Sequence, residues 1–291
     1  MSKQTKTIFI TGGSSGFGKS ISEQALNAGH RVVATFRKQE EADQFNQLNQ
    51  NAIGVLMDVT DKDQIRSAVE LTVQKFNTID VLVNNAGYGE FGLVEAIEQK
   101  DFDKQFDVNV TGLLNVTKAL LPHMRGNDSG QIINFSSIGG LVSMPTAGVY
   151  CASKFAVEGL TLALREEVKN FGIKVTLIEP GAFDTKFGEN STFAKLGDNT
   201  PKEYESFVDG IVKHFSELMG NPENMGDPDK LAAAVLHIIN NDIDSVHVPL
   251  GADAVEGFKS KIKILQEAVN QWEKIGSQMS NKDDLPKILA R

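Results

Sequence analysis

Residues 7–19 decide the fold, and they read TIFITGGSSGFGK. The β-rich run Thr7–Ile10 leads through a glycine turn into a helical pattern that extends from Lys19 to Ala28. Glycine is needed where the backbone turns tightly from strand to helix and where a diphosphate must approach without a Cβ in the way. The free N–H groups of the first helical turn then face the anion, assisted by the helix dipole. The segment therefore predicts a dinucleotide-binding strand, turn and helix.

The same alternation of strand and helix continues after the glycine turn. Five more apolar, β-rich runs alternate with segments of helical periodicity: Arg31–Phe36, Ile53–Met57, Val81–Val83, Gln131–Phe135 and Ile173–Ile178. Strands with near-continuous apolar character are buried on both faces, so they belong to a parallel sheet that helices cover on each side. The sequence therefore predicts an α/β fold with a doubly wound parallel sheet of the Rossmann type.

The second half of the chain begins with a long predicted helix, from about Tyr150 to Asn170, indicated by apolar residues at helical spacing. The segment Ser191–Asp229, rich in Gly, Asn, Pro and charge, is interpreted as a mobile cover over a substrate pocket. The alternative is a surface helix pair with no gating role. A helix that opens at Asp227 and runs to about Ile239 follows.

A last strand at Ser245–Val248 and an amphipathic helix from Ala254 to Gln278 end the predicted elements. No linker or repeat divides the chain, so we expect one domain over residues 1–291. Within it, residues 5–185 are expected to hold the cofactor and the catalytic groups. Residues 186–291 are expected to supply the substrate lid, the last strand and the C-terminal helix.

The composition narrows the classes of partner. The 291 residues are 41% hydrophobic and 23% charged, which is typical of a soluble globular protein with a sizeable core. A net charge of −9 argues against nucleic acid and anionic membranes as partners, and it favours small molecules. The single cysteine, Cys151, cannot form an intramolecular disulfide, and no apolar run is typical of a signal peptide or a membrane span, so we expect a cytoplasmic protein. The five histidines lack short ligand spacing, so no metal site is expected.

Several motifs follow one another in a recognisable order. The glycines at 12, 16 and 18 differ from a G-x-G-x-x-G spacing and resemble the T-G-x-x-x-G-x-G turn of the short-chain dehydrogenase/reductase family. The other matching pieces, up to about residue 185, are Asn84-Asn85-Ala86-Gly87, Asn109-Val110-Thr111-Gly112, Ser136-Ser137, Tyr150-Cys151-Ala152-Ser153-Lys154, and Pro180-Gly181 with Thr185. The resemblance implies an oxidoreductase that moves a hydride between a nicotinamide cofactor and a carbonyl compound or an alcohol.

The resemblance also implies which residues contact the cofactor. Asp58 and Val59 match the family's adenine contact, and the loop after the sixth strand matches its contact to the nicotinamide amide. The full expected set is Gly12, Ser14, Ser15, Gly16, Phe17, Gly18, Arg37, Lys38, Asp58, Val59, Asn85, Ala86, Gly87, Tyr150, Lys154, Pro180, Gly181, Phe183 and Thr185.

The end of the second strand bears on the choice between NADP and NAD. An acid here accepts hydrogen bonds from the ribose hydroxyls in NAD-preferring relatives and repels a 2′-phosphate. This chain has Phe36 followed by Arg37 and Lys38, and a guanidinium group suits a phosphate. We therefore expect NADP(H) to be preferred. The alternative is that both cations lie in an ordinary solvated loop and that NAD(H) is used.

Four residues are predicted to be catalytic. Tyr150 would transfer the proton, and its phenol has an ordinary pKa of about 10. Lys154 lies four residues later, on the same helix face, so its ammonium is expected to favour the phenolate. The resemblance further implies that Lys154 holds the nicotinamide ribose. Ser137, chosen over Ser136 because it lies thirteen residues before Tyr150, resembles the serine that fixes the substrate oxygen. Asn109 resembles the residue that interrupts a helix and links the lysine to solvent through a water. Cys151 is interpreted as a packing residue.

The substrate is expected to be a small carbonyl compound or alcohol with apolar bulk. This follows from apolar residues in the segments near the expected pocket, namely Phe91, Leu141, Val142, Met144, Phe183, Phe187 and Phe193. The alternatives are a regulatory protein that binds NADP(H) without turnover, an NAD-linked alcohol dehydrogenase, and a sugar-nucleotide epimerase or dehydratase. This last class normally needs a larger substrate domain. The resemblance further implies a homodimer or homotetramer formed through the long helix that carries Tyr150.

Overall fold

The computed structural model describes residues 5–187 and 200–280, without the side chains of Met219 and Pro222. Seven strands form one parallel sheet within these residues. They are β1 (Thr7–Ile10), β2 (Arg31–Phe36), β3 (Ala52–Leu56), β4 (Val81–Asn84), β5 (Gly130–Phe135), β6 (Ile173–Pro180) and β7 (His247–Leu250). The predicted strand boundaries agree to within one or two residues, so the predicted parallel sheet is confirmed.

The helices connect these strands. They are α1 (Gly16–Asn27), α2 (Gln39–Asn46), α3 (Lys62–Phe76), α4 (Gln99–Phe106), α5 (Leu113–Gly126), α6 (Gly148–Val168), α7 (Glu205–Met219), α8 (Pro228–Asn240) and α9 (Ala252–Gly276). A π-helical stretch, Asp107–Gly112, joins α4 to α5. The predicted long helix begins two residues before Tyr150 and ends at Val168, and Gly172 adopts a left-handed φ of 63° after a short 3₁₀ turn.

The sheet order is β3-β2-β1-β4-β5-β6-β7, so the chain winds outward from β1 to β3, returns through α3 to β4, and then winds outward in the other direction. One core cluster packs α1, α2 and α8 against one face of the sheet. A second cluster packs α3, α5 and the end of α6 against the other face. The fold is therefore doubly wound, and the switch point lies between β1 and β4, where such folds bind ligands beyond the strands' carboxyl ends.

The strand β7 belongs to the same domain as the first part of the chain because it pairs with β6 in the main sheet. Asp227 caps α8 by accepting a hydrogen bond from the Asp229 N–H over 2.8 Å, as the sequence Asp-Pro-Asp predicts. Part of the predicted substrate cover, including Phe193, lies outside the described residues. Among the described residues, none of the helices is both long and apolar enough to cross a membrane.

Candidate active site

The glycine turn lies at the carboxyl end of β1. Gly12 and Gly16 adopt left-handed φ values of 76° and 52°, which favour glycine. A Cβ on Gly18 would lie 2.0 Å from the Gly12 carbonyl oxygen, so a side chain does not fit there. The turn therefore brings the backbone against the start of α1 without any side chain in between.

Asn85 holds this turn from the neighbouring strand β4. Its side-chain amide donates hydrogen bonds to the carbonyl oxygens of Thr11, over 2.9 Å, and Gly12, over 3.0 Å. The backbone N–H groups of Asn85 and Ala86 both donate to the Thr11 hydroxyl over 3.0 Å. Thr11 was missed by the sequence analysis, although a hydroxyl directly before a glycine turn could have indicated it. Four hydrogen bonds thus fix the turn before any ligand is considered.

The first turn of α1 is prepared for an anion. Ser15 precedes the helix in extended conformation, and among the described residues no side chain caps the helix and no acidic residue lies in its first turn. Ser14 is exposed and Ser15 is half-buried. The first N–H groups of α1 and the positive end of its dipole are therefore available at the glycine turn. This arrangement fits the diphosphate of a dinucleotide, which the bare glycine backbone would admit.

Phe17 and the loop after β6 lie beside the same turn. The Phe17 ring packs edge-on against Phe183, with the ring centroids 5.2 Å apart, and stacks on Phe135 at 5.6 Å. A Cβ on Gly16 would lie 3.3 Å from Thr185 Cβ. The structure therefore brings Phe183 and Thr185 to the cofactor turn, and Phe183 packs into the core rather than lining a pocket beside Tyr150.

The start of this loop is held by Asp253, in the first turn of α9. One Asp253 carboxylate oxygen accepts a hydrogen bond from the Ala182 N–H over 2.7 Å, and the Gly181 N–H donates to the Leu250 carbonyl over 2.9 Å. A Cβ on Gly181 would lie 1.9 Å from an Asp253 oxygen. Asp253 was missed by the sequence analysis because it is 72 positions from Gly181 and only the fold brings the two together.

The predicted determinants of cofactor choice lie at the end of β2. The Phe36 ring lies under the glycine turn, because a Cβ on Gly13 would be 3.0 Å from its Cζ. Arg37 and Lys38 follow directly and are exposed, and Lys38 Nζ lies 3.9 Å from a carboxylate oxygen of Glu41. Arg37, which carries the guanidinium group, therefore directly follows Phe36, whose ring lies against the glycine turn.

The predicted adenine contacts lie at the end of β3. One Asp58 oxygen accepts hydrogen bonds from the N–H and the hydroxyl of Thr60, over 2.8 and 2.7 Å. Val59 is buried, and a Cβ on Gly112 would lie 2.6 Å from its Cγ2. The Asp58 carboxylate is thus oriented by Thr60, two residues later, and Val59 packs against the π-helical stretch.

Tyr150 is buried between aromatic rings on the first turn of α6. Its ring stacks on Phe91 at a centroid distance of 5.8 Å and meets Phe187 at 5.5 Å. Burial raises the pKa of the phenol from 10 to about 12, and a hydrogen bond with the Ser137 hydroxyl lowers it by a smaller amount. Tyr150 and Ser137 are therefore brought together as the thirteen-residue spacing predicts.

Lys154 lies one turn further along α6 and is also buried. Its ammonium donates a hydrogen bond to the Phe135 carbonyl oxygen over 2.8 Å and lies 5.9 Å from the centroid of the Tyr150 ring. Burial lowers the pKa of Lys154 from 10.5 to about 8, and the charge of Glu158 opposes this shift. The lowered phenol pKa predicted from the helical spacing is not observed, because burial dominates and the ammonium points to the end of β5.

Asn109 occupies the π-helical stretch, as the predicted helix interruption requires. Its amide nitrogen donates to the Tyr88 carbonyl over 2.9 Å and to the Ser153 hydroxyl over 3.2 Å, and its oxygen accepts from the Tyr88 N–H over 3.1 Å. A Cβ on Gly87 would lie 3.1 Å from the Asn109 oxygen and 3.7 Å from Lys154 Nζ. Asn109 and Lys154 therefore flank the same bare backbone at Gly87.

A second titratable cluster, which no sequence motif indicated, lies further along α6. Glu158, Glu179 and His247 bring their ligand atoms within 4.8 Å of one another. His247 Nδ1 is 2.5 Å from one Glu179 oxygen, and the Val248 N–H donates to the other over 2.7 Å. Burial raises the pKa of Glu158 to about 7, opposed mainly by the Ser136 hydroxyl. The three residues come from α6, β6 and β7, so only the tertiary structure assembles them.

The comparisons with known proteins agree with this geometry. Residues 6–195 match the short chain dehydrogenase family. The chain belongs to this family. A short-chain dehydrogenase from Streptomyces avermitilis has a similar fold, with a TM-score of 0.84 and 33% identity, covering 95% of this chain and all of that one.

Two curated proteins are similar to this chain over most of its length. Oxidoreductase BOA17 of Botryotinia fuckeliana is 35% identical over 273 residues, which cover 93% of this chain and 98% of the relative. The 3-ketodihydrosphingosine reductase of Bacteroides thetaiotaomicron is 40% identical over 238 residues, which cover 81% of this chain and 84% of the relative. The chain is therefore a family oxidoreductase.

Two solved family structures contain a nicotinamide cofactor. ElxO with NADP bound has a TM-score of 0.71 and 26% identity, covering 87% of this chain and all of that one. The 3-ketoacyl-(acyl-carrier-protein) reductase of Brucella melitensis, complexed with NADH, has a TM-score of 0.70 and 25% identity, covering 86% and 98%. These neighbours support a nicotinamide cofactor for this short-chain dehydrogenase, and they differ in which one they hold.

Proposed function

We propose that this protein is an NADP(H)-dependent reductase of ketones or aldehydes, in which Tyr150 gives the proton to the substrate oxygen. The observation that carries the proposal is the contact between the Tyr150 phenol and Ser137 beside the buried Lys154. The bound nicotinamide would supply the hydride. Ser137 would fix the substrate oxygen and Tyr150 would donate the proton as negative charge develops on that oxygen.

The environment of Tyr150 favours the direction of reduction. A phenol with a pKa of about 12 stays protonated at neutral pH and is ready to donate. The reverse reaction requires the phenolate first, which burial disfavours. Lys154 would hold the ribose hydroxyls of the cofactor. Its pKa of about 8 keeps much of the population charged near neutrality. Asn109, which flanks Gly87 together with Lys154, would link the ammonium to solvent through a water.

NADP(H) is proposed over NAD(H) because of Arg37. Arg37 directly follows Phe36, whose ring lies against the glycine turn, so its guanidinium group can pair with a 2′-phosphate. Lys38 adds positive potential beside it. Glu40 and Glu41 come later, in the first turn of α2, where they stabilise the start of the helix. The cofactor site would then combine Gly12 to Gly18, Arg37, Lys38, Asp58, Val59, the segment from Asn85 to Gly87, and the loop from Pro180 to Thr185.

The proposed substrate has apolar bulk next to its carbonyl group. Phe91 and Met144 pack against the cluster that contains Tyr150, and Phe187 lies over its ring while 36% of its own surface stays exposed. Rings at this position would bury aliphatic chain or flat hydrocarbon and exclude water from the proton transfer. Two relatives are named for substrates with a large hydrocarbon part, namely the 3-ketodihydrosphingosine reductase and retinol dehydrogenase 7 of Mus musculus, which is 35% identical over 227 residues.

A cover over the pocket is proposed for the segment after residue 186. Gly226, near the end of this segment, is hydrogen-bonded to the loop after β6. The Asp184 N–H donates to the Gly226 carbonyl and the Gly226 N–H donates to the Ala182 carbonyl, each over 2.9 Å. A movement of the cover would therefore shift the loop that is proposed to hold the nicotinamide.

The test is NADPH oxidation followed by absorbance with a panel of short aldehydes, linear ketones of increasing length, steroid ketones and quinones. We expect turnover to increase with apolar bulk. Tyr150→Phe should bind NADPH as the unchanged protein does and lose about a hundredfold or more in kcat, the usual size of a general-acid contribution. Tyr204→Phe, on an exposed turn, is the matched control. Equal turnover by Tyr150→Phe and the unchanged protein would refute the proposed role, and NADPH binding without turnover of any substrate would favour a regulatory protein.

A further inference from the structure

Helix α9 carries an apolar stripe that is left exposed by the other elements of residues 5–187 and 200–280. Its first two turns pack on the domain, where Gly257 fits against Ile138 and Phe258 meets the ring of His247. Every residue from Ile262 to Lys274 is exposed. Most helices gain their stability by packing an apolar face, so an exposed stripe of this length indicates a surface that is covered in use.

The stripe has the seven-residue repeat of a coiled-coil seam. Positions a and d of this repeat are Val255, Phe258, Ile262, Leu265, Val269, Trp272, Gly276 and Met279. The four central side chains, from Ile262 to Trp272, are 52–63% exposed. A repeat of 3.5 residues keeps a seam facing one partner helix over several turns, whereas a helix that only lies on a sheet needs a broader face.

We propose that α9 pairs with α9 of a second copy of this chain, antiparallel and about a two-fold axis near Gln266. In this register Ile262 lies against Trp272 of the other copy, and Leu265 lies against Val269 of the other copy. Each apolar side chain in the exposed part of the stripe then has an apolar partner, and the contact is the same on both copies, as two-fold symmetry requires.

Charge distribution along α9 favours this antiparallel register over a parallel one. The e positions that flank an antiparallel seam are Lys259, Gln266 and Glu273. Antiparallel pairing places Lys259 of each copy opposite Glu273 of the other, which gives two pairs of opposite charge. The two Gln266 side chains then meet at the axis. Parallel pairing sets Lys261 opposite Gln266 and Ala268 opposite Glu273, so it gains no pair of opposite charges. Lys259 lies only loosely near Glu256 of its own helix, at 3.8 Å, and both side chains are exposed.

The chain's charge also disfavours a membrane as the occupant of the stripe. A basic amphipathic helix can lie on an anionic bilayer, and Lys259, Lys261 and Lys263 could serve that purpose. The chain as a whole carries a net charge of −9, which opposes approach to such a surface. The resemblance described above implies oligomers formed through α6, and α9 is a different surface, so the two contacts can be tested separately.

The first test measures mass against concentration, by light scattering behind size-exclusion chromatography, for the full chain. We expect Leu265→Lys to raise the dissociation constant of one association step at least about tenfold, whether that step joins two monomers or two dimers held by α6, since buried anchors near an interface centre carry much of its affinity. Leu48→Lys is the matched control, because Leu48 is 54% exposed on a different surface. A monomer at all concentrations, or association steps equally strong in Leu265→Lys and Leu48→Lys, would overturn the proposal. So would binding of the unchanged monomer to vesicles of anionic lipid that Leu265→Lys abolishes.

The second test measures the register by disulfide formation. The native Cys151 is buried, so introduced cysteines report alone. Gln266→Cys should cross-link with itself under mild oxidation. Lys259→Cys and Glu273→Cys should each remain uncross-linked alone and should cross-link when mixed. Cross-linking of Lys259→Cys with itself, or none in the mixture, would overturn the antiparallel register. All three positions are exposed on the helix, and circular dichroism would verify that each variant is folded.

Discussion

Lys154 Nζ donates a hydrogen bond to the Phe135 carbonyl oxygen over 2.8 Å, which joins the helix that carries Tyr150 to the last residue of β5. Ser137 follows Phe135 by two positions, so this bond connects the two sides of the candidate active site. The Lys154 ammonium thus also has a structural role, because a buried carbonyl group that loses its hydrogen-bond donor lowers the stability of the fold.

Replacement of Lys154 should therefore affect both binding and catalysis. Lys154→Met keeps the length of the side chain and removes the donor and the charge. We expect weaker NADPH binding, a kcat lower by about a hundredfold, and a lower melting temperature. Lys118→Met, on the exposed face of α5, should leave all three unchanged. Fluorescence titration, steady-state kinetics and thermal denaturation provide the readouts, and unaltered NADPH affinity in Lys154→Met would contradict the proposed ribose contact.

The glycine turn makes a steric prediction at Gly18. Gly18→Ala would bring a Cβ within 2.0 Å of the Gly12 carbonyl oxygen and 2.5 Å of the Asn85 amide nitrogen, so the turn must open. We expect NADPH affinity to fall by more than about tenfold, together with a loss of stability of about 1–3 kcal/mol from strain and broken hydrogen bonds. Gly159→Ala is the control, because nothing lies near its Cβ position on α6 and alanine favours helices by about 1 kcal/mol. Normal NADPH binding by Gly18→Ala would show that the turn does not hold the cofactor.

The Arg37 side chain is expected to decide between the two cofactors. Arg37→Ala should raise the dissociation constant of NADPH by about tenfold or more and leave that of NADH nearly unchanged, because a charge-assisted bidentate pair to phosphate is lost in one case only. Arg66→Ala removes a comparable exposed guanidinium on α3, where it pairs with Asp63, and should alter neither constant. Titration of both cofactors with both variants is the measurement. Equal losses for NADPH and NADH would support the NAD(H) alternative.

Glu158 should make the folded protein less stable as pH rises. Burial raises its pKa from 4.5 to about 7, with Glu179 acting in the same direction and Ser136, His247 and Lys154 opposing it. Between these two values the folded chain binds more protons than the unfolded chain, so the free energy of unfolding falls as pH increases from 4.5 to 7. Above pH 7 the free energy of unfolding stays lowered by the full amount.

Denaturant unfolding at several pH values tests this linkage. Glu158→Gln should match the unchanged protein near pH 4.5 and exceed its stability at pH 8, by on the order of 2–3 kcal/mol. Glu166→Gln is the control, since Glu166 is exposed on the same helix and its pKa is lowered by Lys169, so its difference from the unchanged protein should not grow over this range. A constant difference between Glu158→Gln and the unchanged protein at all pH values would contradict a raised pKa.

Local patterns were enough to predict the fold. Strand β1, the glycine turn and α1 follow one another within about twenty residues, and near-continuous apolar strands of this kind pack stably only between two layers of helices. Ser137, Tyr150 and Lys154 were identified as candidates by their resemblance to the family's motifs, and helix geometry alone predicted that Tyr150 and Lys154 share one helix face. The pKa of Tyr150 was predicted in the wrong direction, since sequence spacing reports the neighbouring charge and not the depth of burial.

The sequence by itself thus determined the parallel sheet, the cofactor turn and the candidate catalytic residues, because each depends on groups that are close along the chain. Only the tertiary structure decided that Asn85 clamps Thr11 and Gly12, that Asp253 holds the loop at Gly181, and that Glu158, Glu179 and His247 meet. These contacts join residues 21 to 89 positions apart, so they depend on how strands and helices are stacked. The physical reason is that periodicity encodes which face of an element is buried, whereas the partners of a buried polar group are chosen by the packing of elements that are distant along the chain.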